Sequence, residues 1–398
     1  MYEYIENFKK LAFGVFIHFG LYSIIGKGEW ILKLGNLNQK EYENLTNKFT
    51  VNKNWAKDLV NIAKRAGAKY ITLTTRHHDG FSLYDTRGLN TYDAPHSSCG
   101  RDLVAEFTDA CRAAGIIPFF YHTLLDWRIS SYKDNFAMYI DYLIKSVEIL
   151  CTQYGKIGGF WFDGMWDKPH ADWQEERLYK LIRKYQPDAM IINNTGLSEQ
   201  GKVGHPEIDS VTFERGKTRP ILSDTKPLAG EMCEGISDHW GYAKDDIHVK
   251  APSALLKTLV ECRKNNCNFL LNSGLKANGA VSDWDKYCLI SIGKWIHENK
   301  SFIYDAEYMP LKCSEPIVFR KEKEIFILIM DVPMSADPNV QLSTRERIVY
   351  FDKSLKVKKA EWQDTGEAIQ VRPDHSFVVK PFDYGKSFLI RVARLEIL

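Results

Sequence analysis

The chain has 398 residues and a formal net charge of +2, from 53 Lys and Arg against 51 Asp and Glu. That balance gives no general attraction to nucleic acid or to an anionic membrane surface, and no apolar run reaches the roughly 18 residues of a membrane-spanning helix. Hydrophobic residues at 44% and charged residues at 26% exclude a disordered chain, and the length suits a barrel of about 250 residues plus an appended domain.

The first ten residues, MYEYIENFKK, contain no apolar leader segment, so a cytoplasmic location is expected unless a leader has been removed. Eight cysteines are scattered without a CxxC pair or zinc-ligand spacing, which reads as reduced thiols.

In chain order, 13–20 (FGVFIHFG) form an apolar strand carrying His18, followed by a loop with Gly28-Glu29-Trp30. Residues 54–66 have helical spacing and stop at Gly67. Residues 70–76 (YITLTTR) make a second strand running into His77-His78-Asp79-Gly80-Phe81. A helix over 102–114 stops at Gly115, and 116–123 (IIPFFYHT) are a third strand bearing Tyr121 and His122. A long helix over about 134–154 leads to Gly158-Gly159-Phe160-Trp161-Phe162-Asp163-Gly164. This stretch reads as a buried parallel strand with an acid at its C-terminal end.

A helix over 173–185, strands at 189–194 and 210–214, a helix over 253–265, a strand at 268–272 and a helix over 284–299 complete the first part. The region between 194 and 253 is poor in helical pattern, so one or two of the usual helices are expected to be replaced by loops. The alternation predicts an α/β chain with a (β/α)8-like TIM barrel over 1–304. After 305 the segments 316–320, 324–330, 347–351, 360–363, 377–379 and 387–392 are short, partly alternating and without helix. They predict a small antiparallel β-sandwich over 305–398.

Strand C-termini are where a barrel places its chemistry. Here they collect imidazoles, aromatic rings and a carboxylate, the mixture that suits a sugar: polar groups for hydroxyls and rings for the C–H face. Adjacent strand residues point to opposite faces, so His77 and His78 are not expected to share an ion, and His78 has a structural reading. Glycoside cleavage needs two carboxyl groups. Asp163 is the first, and Glu29, Glu207, Asp209, Glu214, Glu231 and Glu234 are candidates for the second. Asp163 also reads as a helix cap, and Glu214 as half of a strand-end ion pair with an Arg.

FGVFIHFG, GEW, TTRHHDGF, WFDG and NFLLNSG with the later Asn278-Gly279 together resemble the α-L-fucosidases of glycoside hydrolase family 29, over about residues 11 to 300. The resemblance implies a barrel followed by a β-sandwich and hydrolysis with retention through a covalent glycosyl-enzyme. It implies no cofactor and no metal. It makes Asp163 the nucleophile and Glu214 the acid/base, with Glu231 as runner-up and Glu234 behind it. It gives His18, Glu29, Trp30, His77, His78, Tyr121 and Trp161 the binding of fucose. The expected partner is a fucosylated oligosaccharide or glycoconjugate, with neither nucleic acid nor membrane. Two departures stand out: no Arg follows the fifth strand, where the chain reads Ile192-Asn193-Asn194-Thr195, and no Trp precedes the Glu of Gly230-Glu231-Met232-Cys233-Glu234. The alternatives are a barrel glycosidase for another sugar, such as an α-galactoside, and a catalytically silent fucose-binding protein. A metal-dependent hydrolase built on the histidines is a weaker option.

Overall fold

The computed structural model describes residues 2–195, 203–337 and 347–398. Eight parallel strands close into a barrel: β1 Phe13–His18, β2 Tyr70–Arg76, β3 Ile117–Thr123, β4 Gly159–Asp163, β5 Met190–Asn193, β6 Ser210–Glu214, β7 Ala229–Gly235 and β8 Cys267–Gly274. Closure comes from β1 pairing with β8, with Phe13 opposite Phe269 and His18 opposite Gly274.

Helices Trp55–Arg65, Leu103–Ala114, Phe136–Gln153, Glu175–Tyr185 and Pro252–Lys264 lie between successive strands. Their ends follow local chemistry. Asp102 accepts from Ala105 N, and Gly115 takes a left-handed φ of 71° at the other end. Asn135 accepts from Met138 N, so the helix expected from about 134 begins at Phe136 after a separate single turn, Ser131–Asp134. Such a cap is worth about 1 kcal/mol. Among the described residues between Asn193 and Pro252 there is no helix; the expectation of replaced helices also falls on 196–202, which lie outside the described residues.

The barrel interior is aromatic. Phe16, Tyr70, Phe119, Tyr121 and Trp161 pack with Met190, Ile192 and Leu270, and Ile5 and Phe8 of the N-terminal helix Glu3–Lys9 pack against them. Gly159 is required within β4, because a Cβ there would lie 2.5 Å from the Met190 carbonyl oxygen. Gly164, at φ +100°, turns the chain out immediately after Asp163.

The C-terminal strands are antiparallel. One sheet has the order β13-β15-β11-β10-β9, from Val357–Trp362, Arg391–Ile397, Glu324–Ile329, Ile317–Lys321 and Glu307–Tyr308. A two-stranded sheet pairs β12 Arg347–Tyr350 with β14 Ser376–Val379. Val318, Ile325, Ile327, Val349, Trp362 and Phe377 share one core. The strand expected over 387–392 instead runs over Arg391–Ile397. The described contacts divide the chain into two compact units, 1–251 with 267–290 and 252–266 with 291–398. No helix among the described residues is long and apolar enough to cross a membrane.

Candidate active site

Asp163 is the last residue of β4, in register with Thr123 of β3, and its carbonyl accepts from Leu124 N at 2.7 Å. Its side chain is 14% exposed. Oδ1 accepts from Trp166 Nε1 at 3.1 Å and from Asn194 Nδ2 at 3.3 Å. Oδ2 accepts from Tyr121 Oη at 3.1 Å and lies 3.5 Å from His78 Nε2. Burial pushes this carboxyl up, but His78, Trp166 and Tyr121 outweigh burial and hold it below its ordinary 3.8. It is an ionised, oriented carboxylate.

Glu214 ends β6, two strands away. Its Oε2 accepts from the same Asn194 Nδ2 at 2.8 Å. Burial and the charge of Asp163 push Glu214 up to about 7, against the pull of Asn194 and Arg215. Because one nitrogen touches both acids, the facing oxygens are no more than about 6 Å apart, short of the 6.5–9.5 Å of an inverting pair. The two neighbouring carboxyls therefore differ in their tendency to ionise, Asp163 held below the ordinary carboxylate range and Glu214 above it.

Three histidines complete the polar wall. Burial pushes His18 down to about 3. Its Nδ1 meets Asn272 Oδ1 at 2.6 Å, while Asn272 Nδ2 donates to the Trp240 carbonyl at 2.8 Å. The neutral ring therefore carries its proton on Nδ1 and leaves Nε2 as an acceptor. His78 Nδ1 is held by Thr123 Oγ1 at 2.7 Å, and Thr123 Oγ1 in turn donates to the Leu125 carbonyl at 2.8 Å. Burial also pushes His77 well below its ordinary value; its ring stacks on Tyr121 at 5.6 Å and 13°.

These groups surround a cavity of about 140 Å³, lined by Phe16, His18, Trp30, His77, His78, Tyr121, Trp161, Asp163, Trp166, Glu214, Cys233 and Trp240. Its size suits one sugar ring. Trp30 and Trp166 stack at 5.9 Å and 21°, and Trp240 stacks on His18 at 5.7 Å and 29°. Among the described residues no group of three or more His, Cys, Asp or Glu is arranged to hold a metal ion.

Residues 2–301 match the family model described as Alpha-L-fucosidase. The chain is 30% identical to the solved α-L-fucosidase isoenzyme 1 from Paenibacillus thiaminolyticus, which superposes with a TM-score of 0.85 over 100% of this chain and 99% of that one. It is 26% identical over 352 residues to the tissue α-L-fucosidase of Bos taurus, covering 80% of this chain and 73% of that one. The chain belongs to the α-L-fucosidase family. A Bacteroides thetaiotaomicron α-L-fucosidase, trapped as a covalent intermediate with 2-fluoro-fucosyl fluoride, shares the fold with a TM-score of 0.78 at 22% identity, over 100% of this chain and 96% of that one.

Of the family positions named from sequence, the cavity gathers His18, Trp30, His77, His78, Tyr121, Trp161, Asp163 and Glu214. Glu29 does not line it. Its carboxylate is buried and accepts from Gly241 N at 2.6 Å, tethering the loop that carries Trp240. The expectation that His77 and His78 diverge is corrected: β2 ends at Arg76, so strand alternation no longer governs them. Their rings lie 4.2 Å apart in one wall.

The other candidate acids are committed elsewhere. Glu231, inside the barrel, accepts from Tyr70 Oη and from Trp161 Nε1 and does not line the cavity. Glu234 lies 3.8 Å from Arg215 Nε and 3.4 Å from Lys250 Nζ. Glu207 and Asp209 bind Arg183, and Asp209 also binds Lys226 and Tyr4.

Sequence reasoning passed over Asn194, Trp166, Trp240 and Cys233. Trp166 follows Asp163 by three residues, one helical turn, and that spacing was a usable signal. Cys233 faces Glu214 in the β6–β7 register, a pairing that needs the strand at 229–235 to be recognised first.

Proposed function

We propose that this chain is a retaining exo-α-L-fucosidase acting on terminal fucosyl residues of oligosaccharides or glycoconjugates. The observation that carries the reading is the pair Asp163 and Glu214, bridged by one amide and differing in ionisation. Asp163 attacks the anomeric carbon as the glycosidic C–O bond breaks, and Glu214 gives its proton to the departing oxygen. Water then loses a proton to Glu214 and displaces Asp163, and two inversions restore the starting configuration.

His18 Nε2 accepts a sugar hydroxyl, and His77 and His78 present further polar atoms. Trp161, Trp30 and Tyr121 offer ring faces and edges to the C–H surfaces. A one-sugar cavity supports action at chain ends.

NMR of the first product from 4-nitrophenyl α-L-fucoside tests the proposal. α-L-Fucose appearing before its β anomer is the expected result. β-L-Fucose appearing first overturns retention, and fucose binding in calorimetry without turnover favours a binding protein. Faster release from the matching galactoside moves the substrate class.

A further inference from the structure

We infer that Asn194 is a positioning residue that holds nucleophile and acid/base as one unit sharing a single negative charge, and so draws both limbs of the pH profile to lower pH. The inference rests on the roles of Asp163 and Glu214 proposed above and extends them to a residue outside those roles.

Asn194 stands one residue past β5, between the strands that carry the two acids, and is 2% exposed. Its Nδ2 donates to Asp163 Oδ1 at 3.3 Å and to Glu214 Oε2 at 2.8 Å. Thr212 Oγ1, on β6, donates to Asn194 Oδ1 at 3.3 Å. That third bond fixes the amide so that its N–H side faces the acids. Both N–H groups of one planar amide thus serve two carboxyls on two different strands.

The reaction moves charge between those carboxyls. In the first step an Asp163 oxygen bonds to the anomeric carbon, the bond to the leaving oxygen breaks, and the Glu214 proton goes to that oxygen. Asp163 becomes a neutral ester and Glu214 takes the charge. In the second step water gives a proton to Glu214, its oxygen bonds to the anomeric carbon, and the ester electrons return to Asp163. One negative charge is present throughout, and Asn194 donates to whichever acid bears it. A hydrogen bond to an ionised partner is about twice as strong as a neutral one, so the amide favours each charged state without moving.

Other groups also face these acids. Asp163 meets His78 from the turn after β2, Tyr121 from β3, Trp166 from its own loop and the more distant His18 from β1. Glu214 meets Asp163, the adjacent Arg215, Glu29 from the loop after β1, and Cys233 from β7. The amide favours the ionised form of both acids, so its loss raises both.

The test is the pH dependence of kcat/KM for Asn194→Leu in the full chain with an aryl α-L-fucoside, beside a thermal melt. The expected result is a fall of about 10- to 100-fold, with the acidic and basic limbs both moved to higher pH. In Asn194→Asp, which keeps the shape but adds an acceptor, activity falls further at neutral pH and partly recovers on acidification, as the new carboxyl gains a proton to donate. A pH profile of Asn194→Leu superimposable on the parent, or a uniform drop with unmoved limbs, overturns the inference. If Asp163→Ala is inactive while Asn194→Leu is unchanged, only this inference falls; if Asp163→Ala stays active, the functional reading falls with it.

Discussion

Trp161 Nε1 donates a 2.9 Å hydrogen bond to Oε1 of Glu231, whose other oxygen accepts from Tyr70. A carboxylate buried inside the barrel thus anchors the indole that faces the cavity. Burial pushes Glu231 up to about 7 against these two donors. In Glu231→Gln one of the two donors meets an amide N–H instead of an oxygen. The expected loss in kcat/KM is about tenfold, carried by KM, with no recovery on adding azide. Kinetics with and without azide check this.

Azide separates the roles proposed for Asp163 and Glu214. Asp163→Ala should lower kcat by about 10⁴-fold or more, and azide in place of the carboxylate should give β-L-fucosyl azide after a single inversion. Glu214→Ala still forms the glycosyl-enzyme from an aryl fucoside with a good leaving group. Azide then intercepts it, restoring turnover and giving α-L-fucosyl azide after two inversions. The configuration of each azide, read by NMR, assigns the roles; the opposite pairing would exchange them.

The pH profile follows from the two environments. Glu214 must be protonated to act as acid and is pushed up to about 7, so kcat/KM should fall above about pH 7, tenfold per unit. Asp163 must be ionised and is held below 3.8, so the acidic limb should lie below that value. Initial rates across the pH range at low substrate concentration measure both limbs. A basic limb below pH 6 would exclude Glu214 as the acid.

The same displacement has a consequence for stability. The folded state binds the Glu214 proton more tightly than the unfolded chain, where the ordinary value is 4.5. That contribution is complete below pH 4.5 and is lost as pH rises through 7. Glutamine mimics the neutral acid at every pH. Glu214→Gln should therefore match the parent in stability near pH 4 and exceed it at pH 8, by on the order of 1–3 kcal/mol. Melting curves at the two pH values decide it.

The barrel was legible because its first five strands are apolar runs separated by amphipathic helices, two of them stopped by Gly67 and Gly115. Strand β7 is not legible in the sequence, because Ala229–Gly235 (AGEMCEG) holds two acids and two glycines in seven residues, so no apolar run marks it. Glu231 is polar on the inside, the reverse of the usual pattern. Asp163 and Glu214 were nameable because each closes a strand. Trp240 was not, since the loop that presents it is tied down by Glu29, more than 200 positions earlier in the chain. In the sequence Asn194 stands out only for the lack of an arginine beside it. Its role depends on β5 lying between β4 and β6, which is a fact of closure order and not of spacing.

The segments that follow β6 and β7 differ in kind from those around β4. Asp163 sits on β4, whose flanking helices lock the strand in place. Glu214 borders segment 215–228 and Trp240 lies in segment 236–251, which hold no helix, and such loops accept insertions and deletions at little thermodynamic penalty. Altered loop lengths there would change how the space beyond the cavity is shaped, while the side chains carried by β1 to β4 keep their places.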